Sequence, residues 1–221
     1  MAAAGFRPGG STVDAGAPDR GASGTPLLGS AGVRPALLLL AGDPEAGVDG
    51  LTDDPAQADA LLDAALALAR ATGGVGRVLL FHPLEVEPAL TARALGFRLW
   101  PADGETAGAR WANAFRQSGE LGYDGAIAIG LTAAVLEPGR LDEVVELLAT
   151  NPAVVVPDDR GGITALALQR HEPALTPATA EPPDVETLQR RARQLRIPLH
   201  ELEPHRALTA GGLAGYLADR R

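Results

Sequence analysis

From residue 36 onward the chain alternates short, wholly apolar runs with stretches of helical periodicity, and this alternation constrains the fold more than any other feature. The clearest run, ALLLLA at 36–41, reads as a buried strand by its length and continuity. Further strands are expected at 77–81 (RVLLF), 97–100, 125–129 (GAIAI), 153–156 (AVVV), 163–168 and 199–202. Between them, Asp54-Pro55 opens a helix that stops before Gly73-Gly74, with Asp at the cap and Pro in the first turn. Helices are also expected at 87–95, where Gly96 ends the run, and at 106–118, 141–149, 184–196 and around 213–217. Residues 171–183, rich in Pro, Thr and Glu, read as a long loop, and no internal repeat is found. Strands alternating with helices predict an α/β fold: a mostly parallel sheet with helices packed on it, in a single domain over 34–221. Ligands of such sheets sit at the carboxyl ends of the strands, here at 41–49, 82–85, 130–134 and 157–162.

Residues 1–33 break the pattern. They are dominated by Gly, Ala, Pro, Ser and Thr without hydrophobic periodicity, which predicts a disordered tail. They also lack the apolar segment of a signal peptide. No apolar run approaches the ~18–20 residues needed to span a bilayer. The expectation is therefore a soluble, cytoplasmic protein without a membrane partner.

Composition removes several chemistries. The net charge is −9, so the chain repels phosphate overall and a nucleic-acid partner is not expected. All 19 basic residues are arginine, which excludes Schiff-base lysines and lysine clamps on phosphate. With no cysteine, disulfides, thiol nucleophiles and thiolate metal sites are excluded too. No GxSxG sequence supports a serine nucleophile. His82, His171, His200 and His205 show no zinc-type helical spacing.

Two loops invite a functional reading. AGDPEAG at 41–47 resembles a phosphate loop, but it has no GK[ST], and Asp43, Glu45 and Asp49 would repel a phosphate. The more site-like loop is Asp158-Asp159-Arg160-Gly161-Gly162, at the end of an expected strand. Asp158 and Asp159 are candidate Mg²⁺ ligands, and the glycines would let a ligand approach the backbone. The bland alternative is an acidic turn in which Asp and Gly serve the geometry, with Arg160 pairing one carboxylate. Trp111 and Phe115, at i and i+4, read as core, and Arg190, Arg191, Arg193 and Arg196 as a solvated helix face or a partner surface.

The stretch 104–170 resembles the selenodomain-associated transferases, bacterial glycosyltransferase-like proteins of the GT-A, nucleotide-diphospho-sugar transferase type. That family carries an approximate G-D-L-G-x-R-M-x-x-A-F pattern, matched here by GETAGARWANAF at 104–115. A strand ending in I-G-x-D-x-P and a P-x-x-D-G-G-Y turn before the next strand follow in the same order. A guanylyltransferase group acting on phospholactate shares the fold. The resemblance implies a GT-A-like (Rossmann-like) sheet with helices on both faces. It also implies a nucleotide or nucleotide-sugar ligand, held near Gly42, Pro44 and Gly47 of the first loop and Gly161 and Gly162 of the later one.

The departures fall on the positions that carry the family's chemistry. The opening K-x-P-x-x-G-R-V-K-T-R-L keeps Pro44 and Gly47 but loses both lysines and the arginine. Thr132 stands at the acidic position of I-G-x-D-x-P, Arg160 at the aspartate of P-x-x-D-G-G-Y, and Arg206-Ala207-Leu208-Thr209 at a closing D-V-D-T. Diphosphate departure is normally met by a divalent metal and basic side chains, and both are depleted together. The resemblance thus implies a diverged member without metal-dependent catalysis, a pseudoenzyme candidate acting as a binding or scaffold protein, with a homo-oligomer or protein partner left open. The alternative is an active glycosyl- or nucleotidyltransferase with a site rebuilt around Asp158, Asp159 and Arg160. Only that alternative implies Mg or Mn as cofactor.

Overall fold

An apolar strand with no polar face belongs in the middle of a sheet, and β1 (Ala36–Ala41) lies there. It pairs in parallel with β2 (Gly76–Phe81) on one side and β4 (Ala126–Gly130) on the other, with Leu38 opposite both Val78 and Ala128. The remaining strands are β3 (Arg98–Pro101), β5 (Ala153–Pro157), β6 (Ile163–Leu168) and β7 (Leu199–Glu201). The order across the sheet is β3-β2-β1-β4-β6-β5-β7. β6 runs antiparallel to both its neighbours, and the other pairings are parallel. The exception has a local cause: residues 158–162 are too short for the crossover of about a dozen residues that a parallel return requires.

The structure is a computed structural model in which residues 34–42, 48, 50–137 and 139–219 are described. The expected tail over 1–33 lies outside the described residues, as do Pro44 and Gly47 of the first loop.

Side chains alternate across each strand, so β1 serves two cores. Leu37 and Leu39 enter one shared with α1 (Pro55–Ala71), α2 (Glu87–Arg93), α4 (Arg140–Leu148) and α6 (Ala210–Ala218). Ala36 and Leu38 enter the other, shared with α3 (Ala107–Glu120) and α5 (Val185–Leu195). Helices therefore cover both faces. Leu37, Leu38 and Leu39 are fully buried, each contributing about 1.5–3 kcal/mol of burial. A charge at Leu38 would have nowhere to hydrate.

Helix starts follow their caps. The side chains of Asp54, Thr106, Asp184 and Thr209 accept from the backbone N–H of Ala56, Ala109, Thr187 and Gly212 respectively. The cap at Thr209 starts α6 at Ala210, earlier than the apolar pattern around 213–217 indicates. α2 ends at Arg93, short of the expected 95, because the chain turns there through Gly96 at φ +86°.

Residues 171–183 form the expected loop, but it is packed rather than free. Leu175 is fully buried in the second core. The Thr106 hydroxyl donates to the Thr179 carbonyl at 2.6 Å, and the Gly108 N–H donates to the Ala180 carbonyl at 3.3 Å. α3 thus holds the loop against the sheet edge described next.

Candidate functional site

Parallel pairing brings the carboxyl ends of β1, β2, β3, β4, β5 and β7 to one edge, where β6 begins. Ligands of open α/β sheets bind at this edge. Clefts among the described residues open near it, and two of them carry candidate residues. One, of about 610 Å³, is lined by Arg140, His205, Arg206, Thr209 and Tyr216 among others. The other, of about 340 Å³, is lined by Trp111, Gly130, Thr132, Gly162, Ile163, Pro182, Pro183 and Asp184.

The turn after β5 ties these regions together through its own hydrogen bonds. Oδ1 of Asp158 accepts from the backbone N–H of Arg160 and of Gly162, each at 2.8 Å. The Asp158 N–H donates to the Gly162 carbonyl at 3.0 Å, closing the turn. Oδ1 of Asp159 accepts from the Ala207 N–H at 2.9 Å, and the Asp159 N–H donates to the His205 carbonyl at 2.8 Å. The 205–207 segment is thereby stitched beside the turn. Behind it, Nε2 of His205 lies 2.6 Å from the hydroxyl of the buried Thr164.

This geometry places those candidates from the sequence that lie among the described residues. Asp158 and Asp159 each have one carboxylate oxygen committed to backbone donors, the use expected of an acidic turn. Arg160 is exposed and, like Arg206, forms no ion pair among the described residues. Gly161 is exposed, at φ +84°, where a side chain would be strained. Gly162 lines the smaller cleft, but a Cβ on it would meet Oδ2 of Asp158 at 2.5 Å. Its missing side chain therefore makes room for Asp158. Gly42 is exposed just beyond β1, and a Cβ on it would meet nothing within 4 Å among the described residues.

Among the described residues, few free carboxylate oxygens converge at this edge. Mg²⁺ and Mn²⁺ sites are built from convergent oxygen ligands, carboxylates foremost. Here Thr132 offers a hydroxyl, Arg160 and Arg206 offer positive charge, and one oxygen of each aspartate is engaged by backbone N–H groups. Among the described residues no group of three or more His, Asp or Glu side chains is arranged to hold a metal.

The i, i+4 aromatic pair is unequally buried. Phe115 is core, with 2% of its surface exposed, whereas Trp111 is half-buried, packs against the same core and also lines the smaller cleft. Periodicity alone cannot separate them. The 171–183 loop brings Pro182 and Pro183 to the same cleft. Asp184, which also lines it, caps α5; hydrogen bonds from the backbone and then the side chain of Thr187 hold its carboxyl below the usual range.

Solved structures share this architecture. A candidate nucleotide-diphospho-sugar transferase from Desulfovibrio desulfuricans G20 is 16% identical with a TM-score of 0.67, over 79% of this chain and 82% of its own. A nucleotidyl transferase from Methanothermobacter thermautotrophicus is 15% identical with a TM-score of 0.56, over 86% and 97%. Rv0371c from Mycobacterium tuberculosis H37Rv, solved in complex with manganese, is 13% identical with a TM-score of 0.55, over 85% and 98%. At such identities the likeness establishes the fold, which is GT-A-like. No curated protein matches the chain at a significant level. Residues 63–178, a little over half of the chain, match a bacterial family described as "Uncharacterized protein conserved in bacteria (DUF2064)", and the chain belongs to that family.

Proposed function

We propose that this protein binds a nucleotide or nucleotide-sugar at the carboxyl edge of its sheet without a divalent metal, and that it is a binding member of its family rather than a metal-dependent transferase. The observation that carries this reading is the pairing of two facts. Asp158 and Asp159 are committed to backbone N–H groups, while Arg160 and Arg206 stand exposed on the neighbouring segments that Asp159 joins. An arginine guanidinium matches phosphate oxygens in a bidentate manner and keeps its charge at any ordinary pH. Two of them at one edge suit a diphosphate and repel a cation.

A transferase needs more than this. Charge developing on a leaving diphosphate must be stabilised by groups placed for it, and arginines on exposed turns are poorly preorganised for that task. The second reading is a rebuilt active site around Asp158, Asp159 and Arg160; the engagement of Oδ1 of each aspartate by backbone N–H groups favours the first.

Calorimetric titration with nucleoside diphosphates and nucleotide-sugars, in excess EDTA and again in Mn²⁺, tests the proposal. Binding that is unchanged by metal and weakened by salt is the expected result. A constant at least tenfold tighter in Mn²⁺, ~1.4 kcal/mol of coupling, and abolished by Asp159→Ala, would restore the enzyme.

A further inference from the structure

α5 carries Arg190, Arg191 and Arg193, and Arg196 follows at its end, with no acidic residue between Glu186 and Glu201. Leu188 and Ala192 enter the second core, and Arg190, Arg193 and Arg196 are exposed. Among the described residues none of the four arginines forms an ion pair. Asp184, which feels Arg190 and Arg191, is hydrogen-bonded to Thr187 instead. A base in the last turn meets the helix dipole, and that accounts for Arg193 alone. The chain holds 28 acidic residues against 19 arginines, so no shortage of carboxylates explains four neighbouring arginines without one.

The other face of the sheet carries the complementary charge. No basic residue occurs between Arg34 and Arg70, while seven acidic residues do. Of these, Asp53 and Asp54 at the start of α1 and Asp59 and Asp63 along it are exposed. On α2 the Arg93 guanidinium pairs with both Asp59 and Asp63, one positive group against two carboxylates. Glu85 and Glu87, at the start of the same segment, are exposed as well. α1 packs Leu61, Leu62 and Leu66 into the first core, so the sheet and both cores stand between α1 and α5. The two charged surfaces of one molecule cannot meet, whereas those of two copies can.

We infer that the chain associates with itself head to tail, the arginine face of α5 in one copy seated on the acidic α1–α2 face of the next. The molecule itself supplies the matching surface, and Leu195, 37% exposed beside the arginines, adds an apolar contact. Arginine forks pair carboxylates in a bidentate manner, and the carboxylates of α1 outnumber the one guanidinium they already meet. The contact is heterologous: a pair of copies leaves one basic and one acidic face unused, so assembly continues past the dimer unless a ring closes. Because the charges are exposed, salt weakens it.

Sedimentation velocity of the full chain across a concentration series tests this, at low ionic strength and at about 1 M NaCl, where the Debye length falls to about 3 Å. Concentration-dependent association at low salt, lost at high salt, is the expected result. Arg190→Glu with Arg193→Glu should weaken it at least tenfold, and so should Asp53→Arg with Asp59→Arg. All four positions are exposed, and circular dichroism checks that each double variant is folded. Mixing the two double variants restores opposite charges across the contact and should restore association, which a merely damaged fold would not. A chain that stays monomeric at low salt, association indifferent to salt or to either charge reversal, or a mixture that fails to recover would each overturn the inference. Capture of the monomer by phosphatidylglycerol vesicles or by poly-L-glutamate, without self-association, would also overturn it and give the arginine face to a different partner.

Discussion

The α-carbon of Gly108 packs directly against the backbone of Glu181: a Cβ on the glycine would sit 2.5 Å from the Glu181 carbonyl oxygen. This contact joins the first turn of α3 to the distant 171–183 loop, whose Pro182 and Pro183 line the smaller cleft together with Trp111 of the same helix. Because the obstructing atoms are backbone, a side chain at 108 cannot be absorbed by rotation. Gly108→Ala should therefore cost about 1–3 kcal/mol through overpacking, lowering Tm by roughly 2–4 °C per kcal/mol for a chain of this size. A thermal melt at wild-type stability would show that the loop moves aside freely.

The turn after β5 predicts a graded pair of variants. Asp158→Ala removes the acceptor of two backbone N–H groups, so stability should fall by about 1–3 kcal/mol. Asp158→Asn keeps the side-chain oxygen in place and should lose less than half as much. Denaturant titration of both proteins separates this structural role from a metal-binding one, since a ligand role would make the two substitutions similarly damaging only when metal is present.

Arg206 and Arg160 carry the expected affinity for diphosphate. Charge-assisted hydrogen bonds contribute about 1.5–3 kcal/mol, so Arg206→Ala should weaken nucleoside diphosphate binding roughly tenfold or more. The double variant with Arg160→Ala should flatten the dependence of affinity on salt. If both variants bind as the wild type does, the diphosphate lies elsewhere.

His171 imposes a pH dependence on stability. Burial, and then the nearby Arg116, push its imidazole below the ordinary histidine value, with Glu172 opposing. The unfolded chain then takes up a proton at a higher pH than the folded chain does, so folding weakens as pH falls below the unfolded value of about 6.5. Its Nε2 is buried without a hydrogen-bond partner among the described residues, which agrees with a neutral ring. His171→Gln should reduce the loss of Tm between about pH 7.5 and 5.5. An unchanged slope in the variant would assign the pH dependence to other groups.

The strands and helix caps were legible because each is a local property. ALLLLA has no polar face whatever surrounds it, and Asp54 and Asp184 precede their helices wherever those helices pack. The same local rules supported the α/β class, and the motif order supported the GT-A-like resemblance that the fold now bears out. The positions of Asp158, Asp159 and the two glycines at a strand end were equally plain. Their use was not, since the partners of those carboxylates are backbone groups as distant as Ala207, and backbone donors leave no trace in residue identity. Trp111 and Phe115 show the same limit within a single helix turn. Helical spacing puts both on one face; Phe115 is buried in the core, while Trp111 packs against that core and also lines a cleft with Pro182 and Pro183. Sequence periodicity reports which face of an element avoids water, whereas a cleft is made where two distant segments fail to close over that face, and this only the tertiary packing decides.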